Sequence, residues 1–252
     1  HGGRFGAGLP SVSDGSFLFL MHLMSKMKSA NEGGSRLAIV FNGSPLFSGS
    51  PSTTKNESSI RQWIIENDYL EAIIALPNQL FYNTGISTYI WIISNHKPKN
   101  RKGKVQLING EAYFKKMSKS LGNKRNELSE EHINQITKLY GSFKETADCK
   151  IFDNTDFGYS KVTVERPERE ASTGSALGKI KLDKNGKPKA DSSLRDTENI
   201  PLKVDIDSYM KAEVLQHVPD AWVDESKTKV GYEINFTKYF YQYKQLRSLQ
   251  EI

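Results

Sequence analysis

The 252-residue chain has a single cysteine, Cys149, and no uninterrupted apolar run of about 18 residues. One thiol cannot form an internal disulfide, which favours a reducing, cytoplasmic location. The missing apolar run excludes a transmembrane helix, so no membrane is expected as a partner. The chain also begins His-Gly-Gly-Arg-Phe, without an initiator methionine or a signal peptide, so we expect the numbering to start inside a longer protein.

Metal-binding and hydrolase patterns are missing as well. The five histidines are scattered without ligand spacing and there is no Cys-x-x-Cys pair, so no metal site is predicted. Ser44 lacks the Gly-x-Ser-x-Gly frame of a hydrolase nucleophile. The glycine-rich stretch Gly3–Gly8 follows no strand and departs from Gly-x-Gly-x-x-Gly, which favours an ordinary loop over a nucleotide-binding one.

Basic charge is abundant in one part of the chain only. Residues 97–126 contain ten basic side chains and one acidic side chain, Glu111, whereas the remaining residues carry a small excess of acids. A basic segment on a mildly acidic body is typical of a protein that binds a polyanion. A solvated lysine-rich loop has the same composition, and charge alone does not separate these two interpretations.

Three short apolar runs predict β-strands, at Leu37–Phe41, Leu70–Leu76 and Ser87–Ser94. The first run suits a strand that is covered on both faces. Only the ten residues of Pro77–Ile86 join the second and third strands, which is too short for a helical crossover. We therefore expect a mostly parallel, incomplete sheet whose third strand is antiparallel to its neighbours.

Helices are predicted over residues 14–28 and 57–67 and from Ser129 onward, and further strands over 105–108 and 161–165. The first helix is expected to be largely buried because apolar residues fill most of its positions. The alternation of helices and strands indicates an α/β protein. An open sheet that ends in an antiparallel hairpin is typical of the C-terminal half of the class I (Rossmann-like) methyltransferase sheet.

The connection between the last two strands combines aromatic and polar side chains. Phe81 and Tyr82 stand beside Asn83 and Thr84, just beyond the carboxyl end of a buried strand, where open α/β sheets bind ligands. Aromatic faces with a few polar groups are what a protein needs to hold an unstacked base. The alternative is that the two rings only cover the end of the sheet, and the residues alone favour this alternative.

Long stretches along nearly the whole chain share a recognisable pattern. They are Gly3–Pro10, Ser13–Leu20, Gly34–Val40, Trp63–Trp91, Gly103–Ile108, Phe152–Asn154, Asp156–Tyr159, Thr163–Pro167, His217–Trp222 and Val230–Thr237. Together they resemble the modification subunit of type I restriction–modification systems. The resemblance implies an N6-adenine DNA methyltransferase that uses S-adenosylmethionine, acts on double-stranded DNA, and assembles with a specificity subunit and a restriction subunit.

One departure limits what the resemblance implies. The family's glycine-rich cofactor loop and its catalytic Asn-Pro-Pro-Phe motif both precede the Gly-Arg-Phe-Gly stretch, and neither occurs in this chain. The chain therefore resembles the C-terminal part of such a subunit. We expect it to contain no catalytic residue, assign no cofactor-binding residue to it, and expect it to be inactive by itself.

The resemblance does imply roles for other residues. Phe81 would stack on a flipped adenine, with Tyr82, Asn83 and Thr84 shaping that wall. The basic window would bind DNA phosphates through Lys97, Lys99, Arg101, Lys102, Lys104, Lys115, Lys116, Lys119, Lys124 and Arg125. The alternative is a non-catalytic DNA-binding or subunit-docking module on a methyltransferase scaffold.

Composition divides the chain into three parts. Residues 1–165 would form the C-terminal part of the methyltransferase domain. Residues 166–200 are rich in Ser, Gly and charged residues, which predicts a flexible linker or excursion with a turn at Asp183–Gly186. Residues 201–252 regain aromatic side chains, which are enriched at protein interfaces, and are expected to dock other subunits.

Overall fold

The computed structural model of the chain describes residues 3–171 and 178–243. Its helices are α1 Ser16–Met24, α2 Ser44–Phe47, α3 Glu57–Glu66, α4 Glu130–Ser142, α5 Ile206–Tyr209 and α6 Phe236–Phe240. Its strands are β1 Arg36–Phe41, β2 Leu70–Leu76, β3 Thr88–Ser94, β4 Lys104–Asn109, β5 Lys115–Leu121, β6 Lys124–Glu127, β7 Cys149–Asp153, β8 Gly158–Glu165, β9 Asp196–Pro201 and β10 Trp222–Tyr232. No helix in these ranges is long and apolar enough to cross a membrane.

The central sheet has the strand order β1-β3-β2-β4-β7. β3 is antiparallel to both β1 and β2, which confirms the predicted hairpin. The expected predominance of parallel pairs is wrong, because β3 lies between β1 and β2 and only β2 and β4 pair in parallel. β1, β2 and β4 nevertheless share one direction, so their carboxyl ends lie at the same end of the sheet.

β1 forms an edge of this sheet. Its side chains alternate between partly buried and exposed, and Val40 exposes 47% of its surface. The expectation that this strand is covered on both faces is therefore wrong, because the side chains of one face, Arg36, Ala38 and Val40, are exposed. β1 also has no neighbouring strand on its outer side among the described residues. β2 is buried at every position, as a strand inside a sheet with covered faces should be.

Helices cover both faces of the central sheet. On one face, Phe17 of α1 meets Phe41 and Trp91 edge-on, with ring centroids about 6 Å apart. On the other face, Ile136 of α4 packs against Ile74 of β2. Alternate side chains of β2 therefore enter two separate clusters.

The helix predictions differ in accuracy. α3 lies where it was expected, and α4 begins after Ser129, whose hydroxyl accepts from the His132 amide. α1 is shorter than the predicted 14–28 helix, and it is buried on one side only, although apolar side chains also occupy its exposed side. Phe19, for instance, exposes 71% of its surface because it faces away from the sheet.

A second sheet has the strand order β10-β8-β9. It contains strands from all three parts into which composition divided the chain, and that division stays a prediction. The turn predicted at Asp183–Gly186 is confirmed by the bond from the Gly186 amide to the Asp183 carbonyl. The predicted linker contains most of β9 and several isolated backbone bridges. Residues 172–177 of this linker lie outside the described ranges.

The aromatic side chains near the C-terminus divide into two groups. Tyr232 and Phe236 are buried in the core cluster that contains α1 and α3, whereas Tyr241 and Tyr243 are exposed. Much of the aromatic content that suggested subunit docking therefore packs within the chain itself. Residues 244–252 of the predicted docking extension lie outside the described ranges.

Candidate nucleic-acid interface

The loop between β2 and β3 presents two aromatic rings at the carboxyl end of the sheet. Phe81 exposes 40% of its surface and Tyr82 exposes 60%. A backbone bridge between Phe81 and Thr84 closes the tip of the loop. Leu80, rather than either ring, packs against the buried cluster beneath α4. Both rings therefore have surface that a flat ligand can contact.

The β5–β6 hairpin packs directly on this loop. The Asn123 amide donates to the Tyr82 carbonyl at 3.0 Å, and the amides of Arg125 and Asn126 both donate to the Gln79 carbonyl, at 3.0 and 3.1 Å. The Lys124 ammonium lies 5.1 Å from the centre of the Tyr82 ring. These contacts join the aromatic loop and the hairpin into one surface.

Asn126 holds this junction together, although it is not among the predicted site residues. Its side chain is buried, and its amide nitrogen donates to the backbone oxygen of Asn78 at 3.0 Å. Gln79, the next residue, has a left-handed backbone with φ of 56°. An asparagine between Arg125 and Glu127 carries no pattern that would single it out, because its role depends on a loop almost 50 residues away.

The basic window does not form one patch. One group belongs to the β5–β6 hairpin and lies beside the aromatic loop, namely Lys115, Lys116, Lys119, Lys124 and Arg125. The other group precedes or begins β4 and lies at the opposite end of the sheet, namely Lys97, Lys99, Arg101, Lys102 and Lys104. Only the hairpin group shares a surface with Phe81 to Thr84.

Two members of the second group are internal. The Lys97 ammonium is buried between the Asp68 carboxylate at 2.6 Å and the Lys104 carbonyl at 2.9 Å, and burial lowers its pKa. The Arg101 guanidinium is buried and donates to the Gln106 side chain at 2.8 Å. The phosphate-binding role predicted for Lys97 and Arg101 is therefore corrected, because neither charged group faces solvent.

Arg101 belongs to a buried polar cluster around Glu71. The Glu71 carboxylate accepts from Arg36 at 3.0 Å and from the Tyr140 hydroxyl at 2.7 Å, and it lies 3.7 Å from Arg101. Burial, reinforced by the bond to Glu71, raises the pKa of Tyr140 to about 12. A glutamate within the apolar run Leu70–Leu76 was the signal for this cluster, because an acid inside a covered strand needs partners.

A glycine-rich turn that leads from a strand into a helix is a common cofactor-binding feature of open α/β sheets. β1, β2 and β4 are followed by Asn42-Gly43-Ser44, Pro77-Asn78-Gln79 and Gly110-Glu111, none of which is glycine-rich. Gly3–Gly8 lies instead against Lys55, whose ammonium donates to the Gly6 carbonyl at 3.2 Å. Within the described part of the chain, no three His, Cys, Asp or Glu side chains cluster to hold a metal ion.

The central sheet, its β2–β3 hairpin and the helices on both faces define an α/β protein of the class I, Rossmann-like methyltransferase type. Comparison with known proteins then identifies the family. The model of the N-6 DNA Methylase family matches residues 2–166, about two thirds of the chain. The chain therefore belongs to this family.

Individual relatives agree with the family match. The chain is 28% identical, over 184 residues, to the methylase subunit of the type I restriction enzyme MjaIX from Methanocaldococcus jannaschii, which covers 71% of this chain and 30% of that protein. It is 35% identical, over 105 residues, to the HindI methylase subunit from Haemophilus influenzae, which covers 42% and 21% of the two chains. The chain thus spans less than a third of the length of these relatives.

A solved structure shows the same fold. The type I restriction–modification methyltransferase subunit from Streptococcus thermophilus is similar with a TM-score of 0.51 and 26% sequence identity. The similarity covers 61% of this chain and 30% of that one.

Proposed function

We propose that this chain is part of an adenine-N6 DNA methyltransferase of a type I restriction–modification complex. The observation that carries the proposal is the position of the aromatic loop and the basic hairpin within the part matched by the family model. Both lie beyond the carboxyl ends of strands, where open α/β sheets bind their substrates.

The exposed edge of β1 supports the view that the sheet continues in the complete enzyme. Val40 on β1 and Phe19 and Leu23 on α1 leave apolar surface exposed around a cavity of about 490 Å³. An uncovered strand edge beside apolar side chains is a site for a further strand. We place the missing strands there, together with the cofactor loop and the Asn-Pro-Pro-Phe motif. The isolated chain would then transfer no methyl group.

The surface supports two tasks for the chain's own residues. Adenine N6 is a poor nucleophile because its lone pair is delocalised into the ring, so the flipped base must be held in one orientation. Phe81 would provide the stacking face, a contact worth about 1–3 kcal/mol per base, with Tyr82, Asn83 and Thr84 shaping the wall. The hairpin cations would bind phosphates and position the duplex without reading its sequence.

The complete protein is proposed to take its methyl group from S-adenosylmethionine and to act on double-stranded DNA. A separate specificity subunit would read the sequence, and a restriction subunit would join for cleavage. The relatives from Methanocaldococcus jannaschii and Haemophilus influenzae are named as subunits of type I restriction enzymes, which supports this assembly. A cytoplasmic location follows from the same function.

The test is to replace Phe81 in the complete subunit. Phe81→Ala should lower methylation efficiency by about 5- to 150-fold, which corresponds to a lost stacking contact. Phe81→Trp should be tolerated, because any flat aromatic face can stack. Ile86→Ala, an exposed residue of the same loop, is the matched control and should methylate normally.

Cofactor affinity and thermal stability separate base stacking from a structural role. Both should be nearly unchanged in Phe81→Ala, because the ring is far from fully buried. A variant that melts several degrees lower, while its folded fraction methylates normally, would show that Phe81 only covers the end of the sheet.

The alternative is a non-catalytic DNA-binding or subunit-docking module. The missing cofactor loop favours it for the isolated chain. Calorimetric titration of a longer protein that includes upstream residues separates the two proposals, because only the methyltransferase should bind S-adenosylmethionine.

A further inference from the structure

Two stretches that the proposed function does not use come together on the second sheet. Thr163–Pro167 ends β8, and His217–Trp222 leads into β10. Between them lies a cleft of about 430 Å³, lined among others by Arg166, Arg169 and Asp220. The two stretches are about 50 residues apart in sequence, so only the fold brings them to one site.

Arg166 is the unusual residue of this cleft. Its Nε is buried and has no hydrogen-bond acceptor among the described residues. Its neighbour Arg169 has two acceptors, donating to the Asp220 carboxylate at 2.7 Å and to the Gly178 carbonyl at 2.8 Å. The Arg166 side chain lines the cleft, so its guanidinium is a positive charge that a ligand bound there would meet.

The cleft continues into a second cavity of about 240 Å³, which also includes Arg166 and His217 in its wall. Three acidic side chains line this second cavity, namely Asp196, Glu198 and Glu213. Glu213 lies on a π-helical turn closed by a bond from the Leu215 amide to the Met210 carbonyl at 2.8 Å. Such turns are rare and are frequently found at functional sites.

We infer that this groove binds an extended polypeptide segment of a partner protein. The segment carries one acidic and one basic side chain. The carboxylate of the segment would accept from Arg166, and its cation would face Glu213 and Asp196. Leu194, which is exposed, and Val218 provide apolar wall between the two charged ends. This groove lies on the second sheet, whereas the aromatic loop joins two strands of the central sheet, and the proposed binding is not a step of DNA methylation.

The charges of the groove favour a peptide over a nucleic acid. Asp220 is paired with Arg169 in the cavity that holds Arg166, but Asp191 also lines this cavity, and three more acids follow in the adjoining one. A polyanionic backbone would be repelled along most of this length, whereas a segment with both signs of charge is complementary to it.

Capped alanine octapeptides containing one Asp and one Lys, separated by one to five residues in both orders, are the probe. Amide chemical shifts of the 252-residue chain report binding. We expect mixed-charge peptides to shift resonances of residues 164–169 and 213–218, and control peptides with two Asp or two Lys to bind more weakly. A short DNA duplex serves as the competing ligand.

Matched variants make the result decisive. Arg166→Met should weaken binding roughly 10-fold, the loss expected for a charge-assisted hydrogen bond. Glu213→Gln, an exposed change that should not affect folding, should weaken it less. Lys161→Met on β8, the strand that ends just before Arg166, is the control and should bind normally. The inference is overturned if no peptide binds, if Glu213→Gln and Arg166→Met both bind as the unmodified chain does, or if the duplex shifts these resonances and the peptides do not.

Discussion

Replacing Arg61 by methionine should lower the stability of the chain more than most single substitutions. Arg61 lies on α3 and is fully buried, yet no carboxylate within residues 3–171 and 178–243 forms an ion pair with it. Its guanidinium instead donates to three backbone carbonyls, those of Pro45 at 2.9 Å, Ser48 at 3.0 Å and Tyr232. Burial lowers its pKa to about 10, so the group still carries its charge at neutral pH. These bonds connect α3 to α2 through Pro45 and Ser48, and to the end of β10 through Tyr232.

The size of the effect follows from what methionine leaves behind. The Pro45 and Tyr232 carbonyls would be buried without a donor, at a cost of about 1–3 kcal/mol each. The Ser48 carbonyl is only partly buried, so water can replace its donor. Because methionine no longer requires desolvation of a charge, part of the cost is recovered. We expect the free energy of unfolding to fall by about 3 kcal/mol, or roughly 6–12 °C in melting temperature.

Thermal and urea unfolding followed by circular dichroism measure this change. Arg61→Lys should give an intermediate value, because one ammonium keeps the charge but cannot reach three acceptors. The matched control is Gln62→Met, which removes a surface hydrogen bond from the Gln62 side chain to Glu66. This variant should melt like the unmodified chain. An Arg61→Met variant that melts within about 2 °C of the unmodified chain would refute the reasoning.

Three further predictions concern the cofactor, DNA and pH. Calorimetric titration of this chain with S-adenosylmethionine should give no binding heat, because no glycine-rich turn follows β1, β2 or β4, and micromolar binding would contradict this expectation. In the complete methyltransferase, replacing Lys116 and Lys119 by Gln should lower the salt slope of DNA binding by about 0.9 per lost contact, and an unchanged slope would favour a solvated loop. Burial alone would raise the pKa of Glu165, but bonds from Arg195 at 2.8 Å and Lys227 at 2.7 Å lower it below 4.5. The Glu165 carboxylate therefore contributes fully to stability above about pH 4.5, and this contribution is lost as the pH falls through the lowered pKa. Glu165→Gln should consequently weaken the dependence of stability on pH in the acid range, as measured by thermal unfolding.

The sequence by itself determined most of the central strands and the hairpin between two of them. The runs that became β2 and β3 are apolar at nearly every position, and such runs are stable only inside a sheet whose faces are covered. Ten connecting residues are too few to return to the starting end of a sheet, so β3 had to run back beside β2. The family stretches were equally visible, because they depend only on local residue order.

Tertiary structure decided which of the predicted site residues share a surface. The basic window is continuous in sequence, but β4 lies within it and spans about 20 Å from one end of the sheet to the other. Residues before β4 therefore lie at the end opposite the aromatic loop, and residues after it return as the hairpin that contacts Gln79 and Tyr82 of that loop. Burial of Lys97 and Arg101 depended on partners such as Asp68 and Glu71, which are distant in sequence, because a buried charge needs hydrogen-bond or ion-pair partners that only the fold brings to it.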